Sequence, residues 1–566
     1  MMNKIFFTTT ALPYSNGSLH MGHLMEYIQA DVWIRNIKMC GYDVYFICSD
    51  DAHGTPITLN AKKVNTKPEL IVNKYSYDRP VCLDGFDINF DHWYSTNSPE
   101  NIFFSRKIFQ YLTNKKLIKS KNIKQFYDLV EDIFLSDRYI RGNCPNCKKF
   151  NKSVDMCEFC GSIYSHSDLV KPYSTLSKSK PLLKSSKHYF FEISNKICVN
   201  FLKNWTKKSF FNDINILQKE IYFKIKEWLN FGKKKINIKD WDISRDFPYF
   251  GIEIPRHSKK YLYVWLDAPI GYLSSLKSFC YKNKINFGTI LNNKKVYQMH
   301  FIGKDIVYFH YLFLPALFYF SRYRIPDKIH VHGFMNLDNK KMSKNKNYGI
   351  RPLKYLSLNI DKNYIRYYIS SKLNNKIEDV DFNKKDFLGK VNSDLVGKYI
   401  NLASRSFKFI NKYFNGKLYF LGGKKNMIRL NLILSKKIRY QLSSLNFGNA
   451  IKEIMKYNDI TNKKFEKSKP WLIAKGLKKK KNSYILHDIC SRAISNFKSI
   501  SVMLHPIIPN LTNNIKKNLF KRSTCSKYSW KDIKIIPVEI NKFKHLIKRI
   551  EYKEINKLLN DSLEEY

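Results

Sequence analysis

The chain opens on a β-branched and aromatic run, residues 5–10 (IFFTTT), whose composition predicts a short buried strand. Pro13, Asn16 and Gly17 break the run and predict a turn. From His20 the period changes. Leu24, Ile28 and Val32 recur every four residues with Met25 and Trp33 beside them, which predicts a helix. Residues 44–48 (VYFIC) read as a second strand, and this strand–helix–strand order predicts a parallel, doubly wound sheet. Residues 297–302 read as a later core strand, so the sheet resumes far downstream. The most apolar stretch, 306–320, is shorter than the roughly 20 residues of a membrane span and contains His310 and Pro315, so a buried helix is expected. After about 396 strand alternation disappears. Long helical patterns, interrupted at 422–423 and 477–481, predict an antiparallel helix bundle with a last helical pattern over 541–559.

These rhythms divide the chain into five parts. Residues 1–115 form the first half of an α/β unit, 116–240 an insertion, 241–335 the second half, 336–395 a small linker and 396–566 the helical part. At 566 residues there is ample core for several domains. The formal charge of +52 supports a polyanionic partner such as nucleic acid. It does not identify one, because the basicity is spread along the chain with the other residues of AT-rich codons, asparagine, isoleucine, tyrosine and phenylalanine. No cleavable leader is read at the amino terminus. Eleven cysteines in so long a chain do not suggest a secreted disulfide scaffold, so a reducing cytoplasm is expected.

Candidate chemistry sits where the patterns change. His20 and His23 lie three apart at the strand–turn–helix junction, where backbone N–H groups and the positive helix end favour a bound phosphate. Gly22 between them would let a nucleotide approach the backbone. Lys341 and Lys344, also three apart and beside Ser343, form a compact loop of cation donors. The second strand ends in S-D-D-A-H-G-T, where Asp51 is either a site for a substrate ammonium or an ordinary turn or cap residue. Cys144, Cys147, Cys157 and Cys160 have the spacing C-x2-C-x9-C-x2-C, which brings four thiolates onto one structural Zn²⁺. His166 and His188 are potential substitute ligands, although their spacing does not demand it. Trp265, Ala268, Pro269, Tyr272, Ile306 and Phe309 read either as an apolar pocket or as core filling.

Together, PYSNGSLHMGH, DDAHGTP, the cysteine knuckle, WDISRD, YVWLDAPIGY, FIGKDIVYFH and KMSKN occur in an order that resembles the methionyl-tRNA synthetase family of class I aminoacyl-tRNA synthetases. The resemblance implies a Rossmann-like doubly wound parallel sheet with a zinc-knuckle insertion, followed by an all-α helix-bundle domain. It implies a methionine–tRNA ligase that forms methionyl-adenylate from methionine and Mg·ATP, then charges tRNA(Met), initiator and elongator.

By that resemblance His20, Gly22, His23, Lys341, Ser343 and Lys344 hold ATP, and the two histidines and two lysines stabilise charge on its phosphates. Leu12, Tyr14, Trp265, Ala268, Pro269, Tyr272, Ile306 and His310 would line the methionine side chain. Asp51 would meet its ammonium and Arg245 its carboxylate. Asn401, Arg405 and Trp471 would meet the anticodon. The chain departs from the family pattern at Asn345 for serine, at Leu314 for tryptophan and at Gly397 for asparagine. With no appended dimerising domain in view, a monomer is expected. The alternatives are a class I synthetase for another apolar amino acid and a catalytically inactive tRNA-binding homologue.

Overall fold

Strand β1 (Ile5–Thr10) forms where β-branched and aromatic side chains fill a pleated surface, and its last four residues are buried. It lies inside a five-stranded, all-parallel sheet. β1 pairs on one side with β2 (Asp43–Asp50) in the register Ile5↔Asp43, and on the other with Val296–Gly303 in the register Ile5↔Val296. β3 (His92–Ser95) and Lys328–His332 flank these, giving the order Lys328–His332, Val296–Gly303, β1, β2, β3. The order reverses between β1 and Val296–Gly303. A ligand crevice therefore opens beyond the carboxyl ends of those two strands. The computed structural model describes residues 4–135, 139–151, 160, 168–211, 217–230, 238–341, 349–521 and 528–560.

Helix α1 (Met21–Met39) crosses behind β1 and β2. It is buried on nearly every face, from Met21 through Ile34 and on to Met39, because the sheet covers one side and the carboxyl-terminal helices cover the other. Four polar contacts fix that second interface. Asn36 Nδ2 donates to Ser443 Oγ (2.9 Å), and Trp33 Nε1 donates to Ser443 O (3.2 Å). Trp530 Nε1 donates to Asn36 Oδ1 (3.1 Å), and Arg366 Nη2 bonds Asp31 Oδ2 (2.6 Å). Arg366 is wholly buried and also donates to Ile507 O (2.9 Å) and Phe86 O (3.0 Å), so one guanidinium ties the sheet region, the linker and the bundle together.

The insertion strands Leu182–Phe191, Ile118–Asp128 and Ile133–Phe134 form a four-stranded antiparallel sheet with Trp241–Asp242, just past the insertion's expected end. A three-stranded sheet of Phe150–Asn151, Ile140–Asn143 and Val170–Ser174 carries the cysteine knuckle. The linker carries the strands Met335–Leu337, Lys340–Lys341 and Val380–Phe382 with the helix Lys362–Lys372. The carboxyl-terminal part is helical at Asn401–Phe414, Lys424–Ser443, Phe447–Lys467, Lys480–Leu504 and Pro509–Leu519. The apolar stretch 306–320 is buried in the protein, and no helix among the described residues is long and apolar enough to cross a membrane. One sequence expectation fails. Within 541–559 helix begins only at Tyr552, and the preceding segment has no regular secondary structure, anchoring Ile547 and Ile550 in the core. Phe543, Leu546, Ile547 and Ile550 keep a helical spacing, yet they pack against the core from a segment without a helix.

Arg366→Met leaves the buried Asp31 with Arg35 as its remaining partner (2.7 Å) and strands the carbonyls of Phe86 and Ile507. The expected loss of stability is about 3–5 kcal/mol in denaturant unfolding. A loss below about 1 kcal/mol would show that this guanidinium does not hold the three regions together.

Candidate active site

The turn after β1 and the end of β2 are locked to one another through their backbones. Asp51 N–H donates to Pro13 O (3.0 Å), and Ser15 N–H donates to Asp51 O (2.8 Å). Arg79, buried on the helix Pro68–Asp84, closes the same region. Its guanidinium donates to the carbonyls of Pro13 (3.0 Å), Tyr14 (2.6 Å) and Gly17 (3.0 Å) and pairs with the Asp50 carboxylate. A charged fork satisfies several buried acceptors at once, which fixes the loop that precedes α1.

His20 caps α1. Its Nδ1 accepts from His23 N–H (3.3 Å), and His23 Nδ1 accepts in return from His20 N–H (3.2 Å). The two rings stack with centroids 3.7 Å apart. A nitrogen that accepts carries no proton, so both imidazoles are Nε2–H tautomers at the positive end of a helix. Gly22 has a reason absent from the sequence reading, since a Cβ there would lie 2.9 Å from His20 Cε1. Glu26, one turn further on, accepts from Ala11 N–H (2.8 Å) and bonds His332 Nε2 (2.8 Å), which joins α1 to the ends of two strands.

Beside this loop a cleft of about 270 Å³ is lined by Tyr14, Asp51, Arg245, Tyr249, Tyr263 and Trp265, among others. Four of the sequence-predicted residues therefore meet: Tyr14, Asp51, Arg245 and Trp265. Trp265 stands at the mouth, 48% exposed, and the Arg245 guanidinium lies 3.6 Å over the Tyr263 ring. Asp51 Oδ1 is buried with no hydrogen-bond partner. Burial pushes its carboxyl well above the ordinary range, and the neighbouring Asp267 charge adds to the shift. Asp267 is itself buried and pairs with His53 Nδ1. Gly54 adopts φ +116°, and a Cβ there would lie 2.9 Å from Tyr14 Oη, so this turn requires glycine.

The other predicted pocket residues lie on the helix Val264–Lys282 and on the turns after Val296–Gly303. Ala268 and Pro269 sit on that helix, with Pro269 buried. Leu12 approaches Gly271, where a Cβ would come within 2.6 Å of it. Ile306 ends a short turn and is half-buried. Tyr272 donates to His310 Nε2 (2.9 Å), while His310 Nδ1–H donates to Ile306 O (3.1 Å). Burial lowers the His310 pKa to about 4, so the imidazole stays neutral. Leu314 is buried in the core beyond this pair. The aromatic wall is carried by Trp241, which stacks on Phe313 (4.4 Å) and Phe309 (5.6 Å) and meets Trp265 (5.1 Å).

Lys341 pairs through its backbone with Asn336, while Ser343 and Lys344 lie outside the described residues. Cys144, Cys147 and Cys160 converge with their sulfurs within 4.8 Å of one another, and Cys157 lies outside the described residues. The Cys144–Cys160 Sγ separation is 3.7 Å. Tetrahedral zinc at about 2.3 Å from each sulfur spaces its ligands by roughly 3.8 Å, so the donors fit that metal. His188 is no ligand, since both of its ring nitrogens face Asp242 and Asp246 (2.7 and 3.0 Å). In the bundle, Asn401 and Arg405 share the helix Asn401–Phe414, and the Arg405 guanidinium lies 5.7 Å over Trp471, itself 40% exposed.

Residues 6–407 match the family model described as tRNA synthetases class I (M), and residues 429–565 match the anticodon-binding domain of tRNA ligase. The chain belongs to the class I tRNA synthetases of the methionine type. Relatives in this family include a methionine–tRNA ligase of Janthinobacterium sp. (strain Marseille), 42% identical across 98% of this chain and 78% of that protein. Another, from Neisseria gonorrhoeae, is 41% identical across 99% of this chain and 81% of that protein. The fold of this class I synthetase is also that of the Mycobacterium tuberculosis methionyl-tRNA synthetase in complex with methionyl-adenylate. The TM-score is 0.74 at 19% identity, covering 95% of this chain and 98% of that one.

Sequence reasoning missed Arg79, His53 with Asp267, Trp241, Tyr249 and Tyr263 as parts of the site. His53 and Asp267 sit in stretches the sequence singled out, but 214 positions apart. Nothing in the sequence marked Arg79. With both of its nitrogens engaged, His310 is expected to remain a neutral Nδ1–H imidazole from pH 8 to pH 5. Histidine ¹⁵N spectra assigned to His310 check this, and protonation above pH 5 would contradict it.

Proposed function

We propose that this chain activates methionine with ATP and transfers it to tRNA(Met), initiator and elongator, as a monomeric cytoplasmic enzyme. The observation that carries the reading is identity of about 42% to methionine–tRNA ligases over 98% of the chain. The cleft supports it with a buried, unpaired carboxylate oxygen of Asp51 among lining residues that include Arg245.

In the first step a methionine carboxylate oxygen bonds the α-phosphorus of Mg·ATP, and the bond to diphosphate breaks. Asp51 receives the α-ammonium and Arg245 faces the carboxylate. Leu12, Tyr14, Trp265, Ala268, Pro269, Tyr272, Ile306 and His310 surround the thioether, whose polarizable sulfur suits aromatic edges. The Nε2–H groups of His20 and His23, the backbone at Gly22, and Lys341, Ser343 and Lys344 meet the phosphates as charge develops there. Such preorganised donors stabilise the transition state more than the ground state.

In the second step the terminal ribose hydroxyl of the tRNA attacks the methionyl carbonyl and AMP leaves. Placement of the reactants supplies most of the acceleration, and no protein nucleophile is needed. Asn401, Arg405 and Trp471 read the anticodon, with stacking worth about 1–3 kcal/mol per base. Cys144, Cys147, Cys157 and Cys160 would hold one structural zinc, whose binding would organise the insertion.

Pyrophosphate exchange with each amino acid in turn tests the reading. Methionine is expected to support exchange with kcat/KM at least about tenfold above leucine, isoleucine or valine, since one methylene alone discriminates roughly 10–200-fold. Exchange driven by another apolar amino acid, or none at all from a protein that binds tRNA, would overturn it.

A further inference from the structure

We infer that His188 is a positioning residue for this reaction: from the insertion it holds the segment Asp242–Asp246 so that Arg245 stays on the cleft wall. The inference rests on Arg245 facing the substrate carboxylate.

His188 is fully buried on the strand Leu182–Phe191. Its Nδ1 lies 2.7 Å from Asp242 Oδ2, and its Nε2 lies 3.0 Å from Asp246 Oδ2 and 3.2 Å from Gln125 Oε1. Ionised carboxylates only accept, so each ring nitrogen carries a proton and the group is an imidazolium. Burial alone would lower the pKa of His188, but the hydrogen bonds and charges of Asp242 and Asp246 outweigh it and raise it. Burial would raise the Asp246 carboxyl, yet bonds from His188, Lys260 and Ser186 hold it below the ordinary value.

The other groups around the ring come from three elements. Strand Ile118–Asp128 contributes Gln125 and, as cross-strand partner, Lys121, which is tied to Asp240 (3.2 Å). Strand Ser244–Asp246 contributes Asp246. Strand Lys260–Leu262 contributes Lys260, which pairs with Asp246. Asp242 is shared, because its Oδ2 also accepts from Arg245 Nη1 (3.0 Å), while its Oδ1 accepts from Ser244 N–H (3.1 Å).

His188 and Lys260 thus share the carboxylates of Asp242 and Asp246 with Arg245, the member on the cleft wall. A neutral group at 188 would leave Asp242 free to neutralise Arg245 and draw it back from the cleft. The imidazolium is fully present below its raised pKa and is lost as pH rises through it. Methionine binding therefore weakens on the alkaline side, and His188 is the group that sets that limb.

Pyrophosphate exchange by the full-length, zinc-loaded enzyme from pH 6 to pH 9 tests this. His188→Asn is expected to raise the methionine KM by roughly tenfold or more, with kcat and the ATP KM changed far less, and to flatten the alkaline limb. His188→Asn with a methionine KM within about twofold of wild type and an unchanged alkaline limb overturns the inference. Parallel losses for methionine and ATP together with a lowered melting temperature also overturn it, since they mark a merely structural role. If Arg245→Gln leaves the methionine KM unchanged, the underlying site reading fails and takes the inference with it. A raised KM in Arg245→Gln beside a normal His188→Asn defeats the inference alone.

Discussion

Three carboxylates crowd the carboxyl end of β2, and a poorly solvated cluster of that kind persists only if each group meets a partner. Asp50 meets the Arg79 guanidinium and Asp267 bonds His53 Nδ1. Asp51 lies among them with a buried oxygen that has no partner. Desolvation and the nearby negative charge both disfavour its ionised form, so the protein is poised to take up one positive group at that point. An α-ammonium of an amino acid is such a group, and in the proposed function it is the substrate that completes the cluster.

The same loop economy recurs around α1. Its first turn carries the stacked histidines and its middle is tied to the strand ends through Glu26. Its far half is gripped by Asn36, Trp33 and Arg366 contacts to the linker and the bundle. One helix therefore bears both the stacked histidines and the contact with the part of the chain that matches an anticodon-binding domain. The insertion reaches the same cleft through His188, which bonds the segment Asp242–Asp246 that carries Arg245.

Local pattern made much of this legible. The β-branched run at residues 5–10, the four-residue period after His20 and the apolar 297–302 segment correspond to β1, α1 and Val296–Gly303, because each is decided by periodicity and burial along a few neighbouring residues. The cysteine spacing was equally readable, since two knuckles need only short separations. What escaped depends on tertiary pairing. Arg79 serves carbonyls and a carboxylate at positions 13–17 and 50, and His53 finds Asp267 from the far half of the chain. His188, weighed as a metal ligand, belongs to an ion-pair network that only the antiparallel sheet assembles. The irregular segment before Tyr552 was misread because its apolar residues serve a coil as well as a helix.

The charge of Asp51 is the point on which the rest turns. Calorimetric titration of the enzyme with methionine, in buffers of different ionisation enthalpy from pH 5 to pH 8, measures it directly. An ammonium that forces ionisation of a carboxyl held protonated by burial releases a proton. The released amount is expected to approach about one per site toward low pH and to vanish in Asp51→Asn. Binding with no buffer-dependent heat anywhere in that range, or with the same proton release in Asp51→Asn, would contradict it.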